Sequence, residues 1–370
     1  MKILFLTLDT FSRSGGIQQF NRSLQKALCE TLEDTGGSLA HWSLYDETTD
    51  GMPDYGTGDH FQFLGFAKKK AAFLNHFARH VSGFDLVIFG HVNLSPLVFF
   101  PAVRKMKKWM VAHGIEVWDD PGKINRASMQ RMDRILSVSR FTLQNLQNES
   151  GISPEKLSLF PNCLDPFFAA APIPEPIVWN KSWRLDVRYP YLLTLARLRE
   201  TEEAKGYGQV IALLPELIKE IPDLRYILAG KWDAPTYTRI RQLADAHGVG
   251  DRVLMPGFVP AASLPALYNL SQVFVMPSTK EGFGIVYLEA AWFGCQVVGS
   301  FAGGVPEALM QGALGALVPP GDNTALKTAI LNSLQAGRLQ GERLQQRREK
   351  IASQFGFEAM KSRIKALLNS

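Results

Sequence analysis

The sequence predicts an α/β protein of two domains, each built on a parallel sheet, and three observations carry that expectation. The chain has 370 residues, more than one hydrophobic core ordinarily serves, since cores stop growing at about 250–300 residues. Short apolar runs alternate with amphipathic helical patterns along most of its length, as βαβ units require. A proline-rich stretch, Ala171-Pro172-Ile173-Pro174-Glu175-Pro176, divides that alternation into two series, and proline cannot serve in a sheet ladder.

The first series opens with a strand over residues 3–8, a loop through Ser14-Gly15-Gly16, and a helix over about 17–28. In that helix Ile17, Phe20, Leu24 and Leu28 recur at three- and four-residue spacing. Further strands are expected over 86–89, 109–112, 134–138 and 156–160. The second series has strands over 191–196, 224–229, 252–255, 273–277 and 296–300. Two polar helical patterns close the chain, one over about 323–353 and one over 357–368. The expected domains are therefore 1–170 and 189–356 around a linker at 171–188, with the closing helix, 357–370, packing back on the first domain.

Composition excludes several classes. Hydrophobic residues at 46% and charged residues at 20% describe an ordinary globular chain, neither disordered nor fibrous. Forty Lys and Arg against 35 Asp and Glu leave +5, too mild a balance to imply nucleic acid. Cys29, Cys163 and Cys295 stand far apart in no metal-ligand spacing and read as thiols of a reducing, cytoplasmic compartment. The apolar run at the N-terminus meets Asp9 too soon for a signal-peptide core. Residues 86–103 and 253–279 lack charged side chains, but prolines and polar residues interrupt both, so neither reads as a spanning helix of about 20 apolar residues.

Charge is patterned within the first domain. Residues 30–59 hold eight acids and no Lys or Arg, whereas residues 68–108 hold eight basic residues against Asp85 alone. Two solvated faces are the first reading. A basic face meeting anionic lipid or an acidic acceptor is the second, with Phe73 and Phe77 inside the cluster and Trp109 beside it.

Missing motifs remove further chemistry. There is no Gly-x-x-x-x-Gly-Lys-Ser/Thr, so a P-loop enzyme is not expected. No Gly-x-Gly-x-x-Gly follows the first strand, which counts against a nicotinamide dehydrogenase. There is no Gly-x-Ser-x-Gly elbow, and no Asp-x-Asp to clamp a divalent metal on a sugar nucleotide.

The most informative segment is 273–309. A strand ends at Pro277, and the loop Ser278-Thr279-Lys280-Glu281-Gly282-Phe283-Gly284 leads into a helix carrying Glu289. Glu281 thus sits at the carboxyl end of a strand, where open α/β sheets bind ligands. Two carboxylates so placed can grip two sets of hydroxyls on one ligand. The next strand runs into Ala302-Gly303-Gly304-Val305-Pro306-Glu307. There glycines admit close backbone approach, and a helix N-terminus offers N–H groups to phosphate.

Glu281-Gly282-Phe283-Gly284 through Glu289-Ala290, followed by Gly303-Gly304-Val305-Pro306-Glu307, closely resembles the Glu-x7-Glu signature of the family 4 retaining glycosyltransferases. Gly15-Gly16, His113-Gly114-Ile115-Glu116, Pro161-Asn162 with Asp165, and Leu195-Ala196-Arg197-Leu198 with Lys205-Gly206 resemble other parts of that family in the same order. The resemblance implies a GT-B fold, two Rossmann-like domains facing a cleft. The first domain would take the acceptor and the second the nucleotide sugar. It implies that Arg197 and Lys205 neutralise the donor's diphosphate, helped by backbone near Gly15, Gly16, Gly303 and Gly304. Glu289 would hold the ribose, Glu281 hydroxyls of the transferred sugar, and His113 the sugar near its reacting carbon. The Gly257-Phe258-Val259 backbone would face the base. Ala196 and Cys163 replace glycines usual in the family, and Arg199 is a second candidate for the role of Arg197.

The implied reaction moves a hexose from a nucleotide-diphosphate sugar to a glycan or lipid-linked acceptor with retained configuration. It needs neither metal nor cofactor, and it fits polysaccharide, lipopolysaccharide or glycolipid assembly at the inner face of a membrane. The alternatives are another GT-B enzyme, an epimerase or phosphorylase, and a binding protein of the same fold without catalysis.

Overall fold

A computed structural model describes residues 1–50, 53–56, 58–118, 120–169 and 185–370. The proline-rich stretch at 171–176, and most of the expected linker, lie outside the described residues. The chain forms two compact units, residues 1–166 with 352–370, and residues 167–351.

In the first unit seven parallel strands form one sheet: β1 (Lys2–Thr7), β2 (Ser38–Ser43), β3 (Phe61–Gly65), β4 (Leu86–Phe89), β5 (Lys107–Ala112), β6 (Arg134–Ser137) and β7 (Leu157–Leu159). Their order is β3-β2-β1-β4-β5-β6-β7. β1 lies inside, with Ile3 opposite Leu39 on one side and Leu86 on the other. Its apolar run Ile3, Leu4, Phe5 and Leu6 is fully buried, as a parallel strand covered on both faces requires. The helix Gly16–Glu33 buries Phe20, Leu24, Ala27 and Leu28 along one stripe. Onto it folds the C-terminal helix Phe357–Leu368, burying Met360 and Ile364 and setting Lys361 Nζ 2.6 Å from Glu30 Oε2.

β2 and β3 extend the sheet beyond the strands expected from sequence. β2 carries two polar residues in its core, His41 and Ser43, both fully buried. The His41 ring bonds Thr7 Oγ1 at 2.8 Å. Such paired polar groups are stable inside a protein, but they erase the apolar run by which a buried strand is recognised. A second correction concerns the basic cluster. Phe73, Phe77 and Trp109 are buried in the unit's core, so none of them is available to a membrane, whereas Leu74 is exposed.

The second unit has six parallel strands: β8 (Tyr191–Leu195), β9 (Arg225–Ala229), β10 (Val253–Gly257), β11 (Val273–Met276), β12 (Gln296–Ser300) and β13 (Ala316–Val318). They run in the order β10-β9-β8-β11-β12-β13. The single helical pattern expected over 323–353 is two helices, Asn323–Ala336 and Gly341–Phe355, because Gly337 takes a positive φ of 68° and ends the first. Arg338 then turns inward, donating to the carbonyl of Tyr268 at 2.6 Å and to Asn269 Oδ1 at 3.1 Å. Among the described residues no helix is long and apolar enough to cross a membrane.

Candidate functional site

Each sheet reverses its strand order once, between β1 and β4 in the first unit and between β8 and β11 in the second. At such a point neighbouring loops diverge above the carboxyl ends of the strands and leave a crevice, the usual ligand site of an open α/β sheet. Among the residues singled out from sequence, Gly15 and Gly16 follow β1, Lys205 follows β8 and Glu281 follows β11, in loops that leave these strands.

In the second unit, the turn Glu200–Lys205 follows β8 and ends on Lys205, while Glu281 stands in the loop after β11. Lys205 Nζ lies 2.8 Å from Glu281 Oε2, and each side chain is 14% exposed. Screening is therefore reduced, and the charge-assisted contact fixes both heads. The loops are also laced through backbone. Thr279 N donates to Ala204 O at 2.8 Å, and Ser278 Oγ to the same carbonyl at 3.1 Å.

The loop after β12 lies against this pair. Gly304 N donates to Glu281 O at 2.8 Å. A Cβ on Gly303 would come within 2.3 Å of that carbonyl oxygen, and one on Gly304 within 2.2 Å of the Gly282 oxygen. Only glycine permits backbone to meet backbone so closely. The adjacent glycines thus serve to press two sheet-end loops together.

Glu289 lies in the helix Ile285–Trp292 and is only 3% exposed. It accepts a hydrogen bond from Tyr268 Oη at 2.8 Å. Burial, then the Glu289 charge, push the Tyr268 hydroxyl well above its ordinary pKa, so it stays a donor. Tyr268 carried no signal in the sequence. Arg197 and Arg199 are both exposed beyond β8. Arg199 lies near the capping residue Asp233, whose carboxyl is lowered chiefly by hydrogen bonds from Thr236 and also by the Arg199 charge. Phe258 is exposed and Val259 buried at the end of β10.

In the first unit, Gly15 and Gly16 are exposed at the start of the long helix that follows β1. The loop before them is tied down by Asp46, which is fully buried. It accepts from Thr10 N at 2.7 Å, Ser12 N at 2.8 Å and Ser43 Oγ at 2.7 Å. Burial pushes the Asp46 carboxyl up, but these donors outweigh it and hold the pKa below its ordinary value. Nothing in the sequence marked Asp46, since one acid among eight gives no pattern.

His113 follows β5, and its Nε2 lies 2.8 Å from the Gly90 carbonyl beyond β4. A carbonyl only accepts, so Nε2 carries the proton and Nδ1 is the ring's acceptor. Burial pulls the His113 pKa down to about 4, against the Gly90 carbonyl, so the ring is neutral at neutral pH. Glu116 Oε1 accepts the His113 backbone N–H at 2.6 Å and fixes the turn. His91 lies beside it, ring centroids 6.4 Å apart. The structure thus gathers Lys205, Glu281, Gly303 and Gly304 in one unit. In the other it gathers Gly15, Gly16 and His113 at one sheet end.

Residues 178–353 match the family described as glycosyl transferases group 1. The chain is 31% identical over 234 residues to a GDP-mannose-dependent alpha-(1-6)-phosphatidylinositol monomannoside mannosyltransferase of Mycolicibacterium smegmatis, covering 59% of this chain and 58% of that protein. It is 28% identical over 189 residues to a phosphatidylinositol N-acetylglucosaminyltransferase component of Arabidopsis thaliana, covering 50% of this chain and 39% of the relative. The chain spans about half the length of the curated relatives it matches.

Solved structures share the fold across the whole chain. Anabaena HepE in complex with UDP superposes with a TM-score of 0.77 at 17% identity, over 100% of both chains. Sucrose-phosphate synthase from Thermosynechococcus elongatus does so with a TM-score of 0.74 at 19% identity, over 100% of this chain and 98% of that one. The fold is GT-B, and residues 178–353 are similar to the group 1 glycosyl transferases.

Proposed function

We propose that this protein transfers a hexose from a nucleotide-diphosphate sugar to an acceptor hydroxyl, with retained configuration and without a metal ion or other cofactor. Glycolipid, lipopolysaccharide or polysaccharide assembly at the cytoplasmic face of a membrane is its setting. The observation that carries this reading is the Lys205–Glu281 pair at the strand-order reversal of the second sheet, with Gly303 and Gly304 pressed against it. The relatives named above include transferases of mannose and N-acetylglucosamine to phosphatidylinositol-type acceptors, which supports a lipid-linked acceptor.

The second unit binds the donor. Lys205 and Arg197 neutralise the diphosphate, and the N–H groups near Gly304 and Gly16 share that task. Glu289 holds the ribose, Glu281 accepts hydroxyls of the transferred sugar, and Gly257, Phe258 and Val259 face the base. The first unit binds the acceptor. His113, with Nδ1 as acceptor, takes a sugar hydroxyl near the reacting carbon. The bond from C1 to the diphosphate oxygen breaks as the acceptor oxygen bonds C1 on the same face. The acceptor's proton passes to the departing phosphate oxygen. Cationic side chains aimed at that oxygen stabilise the charge that develops there.

Transfer should continue in excess EDTA, because lysine and arginine supply the positive charge a metal would otherwise bring. Complete loss of transfer under EDTA, restored by Mg²⁺, contradicts the role given to Lys205.

A further inference from the structure

At the carboxyl ends of β9 and β10 stand two aromatic residues, Trp232 and Tyr237, to which the proposed function assigns no role. The backbone leaving β9 is fixed on both sides. Gly230 N donates to Gly257 O at 2.8 Å, and Leu198 N to Lys231 O at 2.9 Å. On this base stands Trp232, which is 37% exposed. A Cβ built on Gly257 would lie 3.7 Å from the indole Nε1, so the ring rests against the space that glycine leaves open. Tyr237 braces it from another side, ring centroids 4.7 Å apart. Phe258, beside Gly257, is 53% exposed.

Trp and Tyr rings are enriched where a protein meets a partner, and rings braced in one orientation offer a flat face at little entropic cost. These rings stand above the carboxyl edge of a parallel sheet, on the side where ligands of such sheets bind. We infer that Trp232 is the stacking platform for the nucleobase of the donor, with the Gly257–Val259 backbone reading the base edge. The inference rests on the proposed nucleotide-sugar reading. Stacking accepts any base, because every base has a π-face. Trp232 accordingly supplies affinity common to purine and pyrimidine nucleotides, and the backbone beside it supplies the discrimination.

Calorimetric titration of the full chain with GDP and with UDP tests this, alongside Trp232→Ala and Trp232→Phe. The wild type should bind at least one of the two. Trp232→Ala should bind that nucleotide at least about tenfold more weakly, about 1.4 kcal/mol, with its melting temperature kept. Trp232→Phe should stay within about threefold of wild type and lose the nucleotide-induced quenching of tryptophan emission. Wild-type affinity in a folded Trp232→Ala overturns the platform and leaves the transferase reading standing. A Trp232→Ala chain that fails to fold shifts the decision to Trp232→Phe, where unchanged quenching overturns it. Failure of the wild type to bind either nucleotide overturns both.

Discussion

Glu289 and Glu281, eight residues apart in sequence, meet different surroundings, and those surroundings set what each does. Glu289 is buried and bonded to Tyr268, so its carboxylate is held rigidly, and the ribose contact proposed for it would be similar in ground and transition states. Glu289→Ala should raise the donor KM more than it lowers kcat. It should also leave the Tyr268 hydroxyl short of a partner, at a cost of about 1–3 kcal/mol, so a fall in melting temperature accompanies the kinetic change. Glu281 and His113 are assigned to the sugar whose charge changes as the bond breaks. Losing Glu281 should lower kcat at saturating donor by about ten- to a hundredfold, since a hydrogen bond to a charged group is worth roughly 1.5–3 kcal/mol, and losing the neutral His113 by up to about tenfold, since an uncharged one is worth about 0.5–1.5 kcal/mol. Steady-state kinetics with varied donor separates the cases, and a KM effect alone for Glu281→Ala contradicts its assignment. The Glu-x7-Glu spacing was legible because it is a local pattern. The partners Tyr268 and Asp46 were not, because only the fold brings them to Glu289 and to the loop after β1.

At the scale of elements, strands with continuous apolar runs, such as β1 and β11, were plain in the sequence. β2 was not, because its buried His41 and Ser43 are paired inside the core. The same limit applied to the basic cluster, where sequence could not tell which face of the helix Lys70–His80 is buried. The structure puts Phe73 and Phe77 inside and leaves Lys68, Lys69, Lys70, Arg79 and Leu74 exposed. Arg104, Lys105 and Lys107 are also exposed. With the aromatics withdrawn, the membrane contact we propose for this face rests on charge alone, about 1 kcal/mol for each basic residue near an anionic surface. Vesicles containing anionic lipid should therefore float the protein at low salt and release it as salt rises. Flotation that ignores lipid charge and salt contradicts the proposed contact.

For the whole molecule, buried neutral histidines tie stability to pH. Burial lowers His113 and His91 to about 4 and His41 to about 3, whereas an unfolded histidine titrates near 6.5. Between those values the unfolded chain binds protons that the folded one does not. Stability therefore falls as pH drops from about 6.5 toward 4. Glu116 works the other way, since burial raises its pKa, but it is one group against three. Denaturant unfolding at pH 7 and pH 5 should show lower stability at pH 5, and equal or higher stability there contradicts the burial of these rings.

The two-domain architecture was legible from alternating runs around a proline-rich divide. The units part at residues 166 and 351, and the C-terminal helix belongs to the first of them through contacts with Gly16–Glu33. The function proposed for the loops around Lys205 and Glu281 is binding of a nucleotide sugar and transfer of its hexose. Its most direct test incubates the protein with a panel of nucleotide-diphosphate sugars in EDTA. Nucleotide release and the anomeric configuration of the first-formed sugar product are followed by NMR. One donor should be consumed, its sugar should keep its configuration, and Lys205→Ala should abolish most of the release. No nucleotide release from any donor, or release that Lys205→Ala leaves intact, contradicts the account.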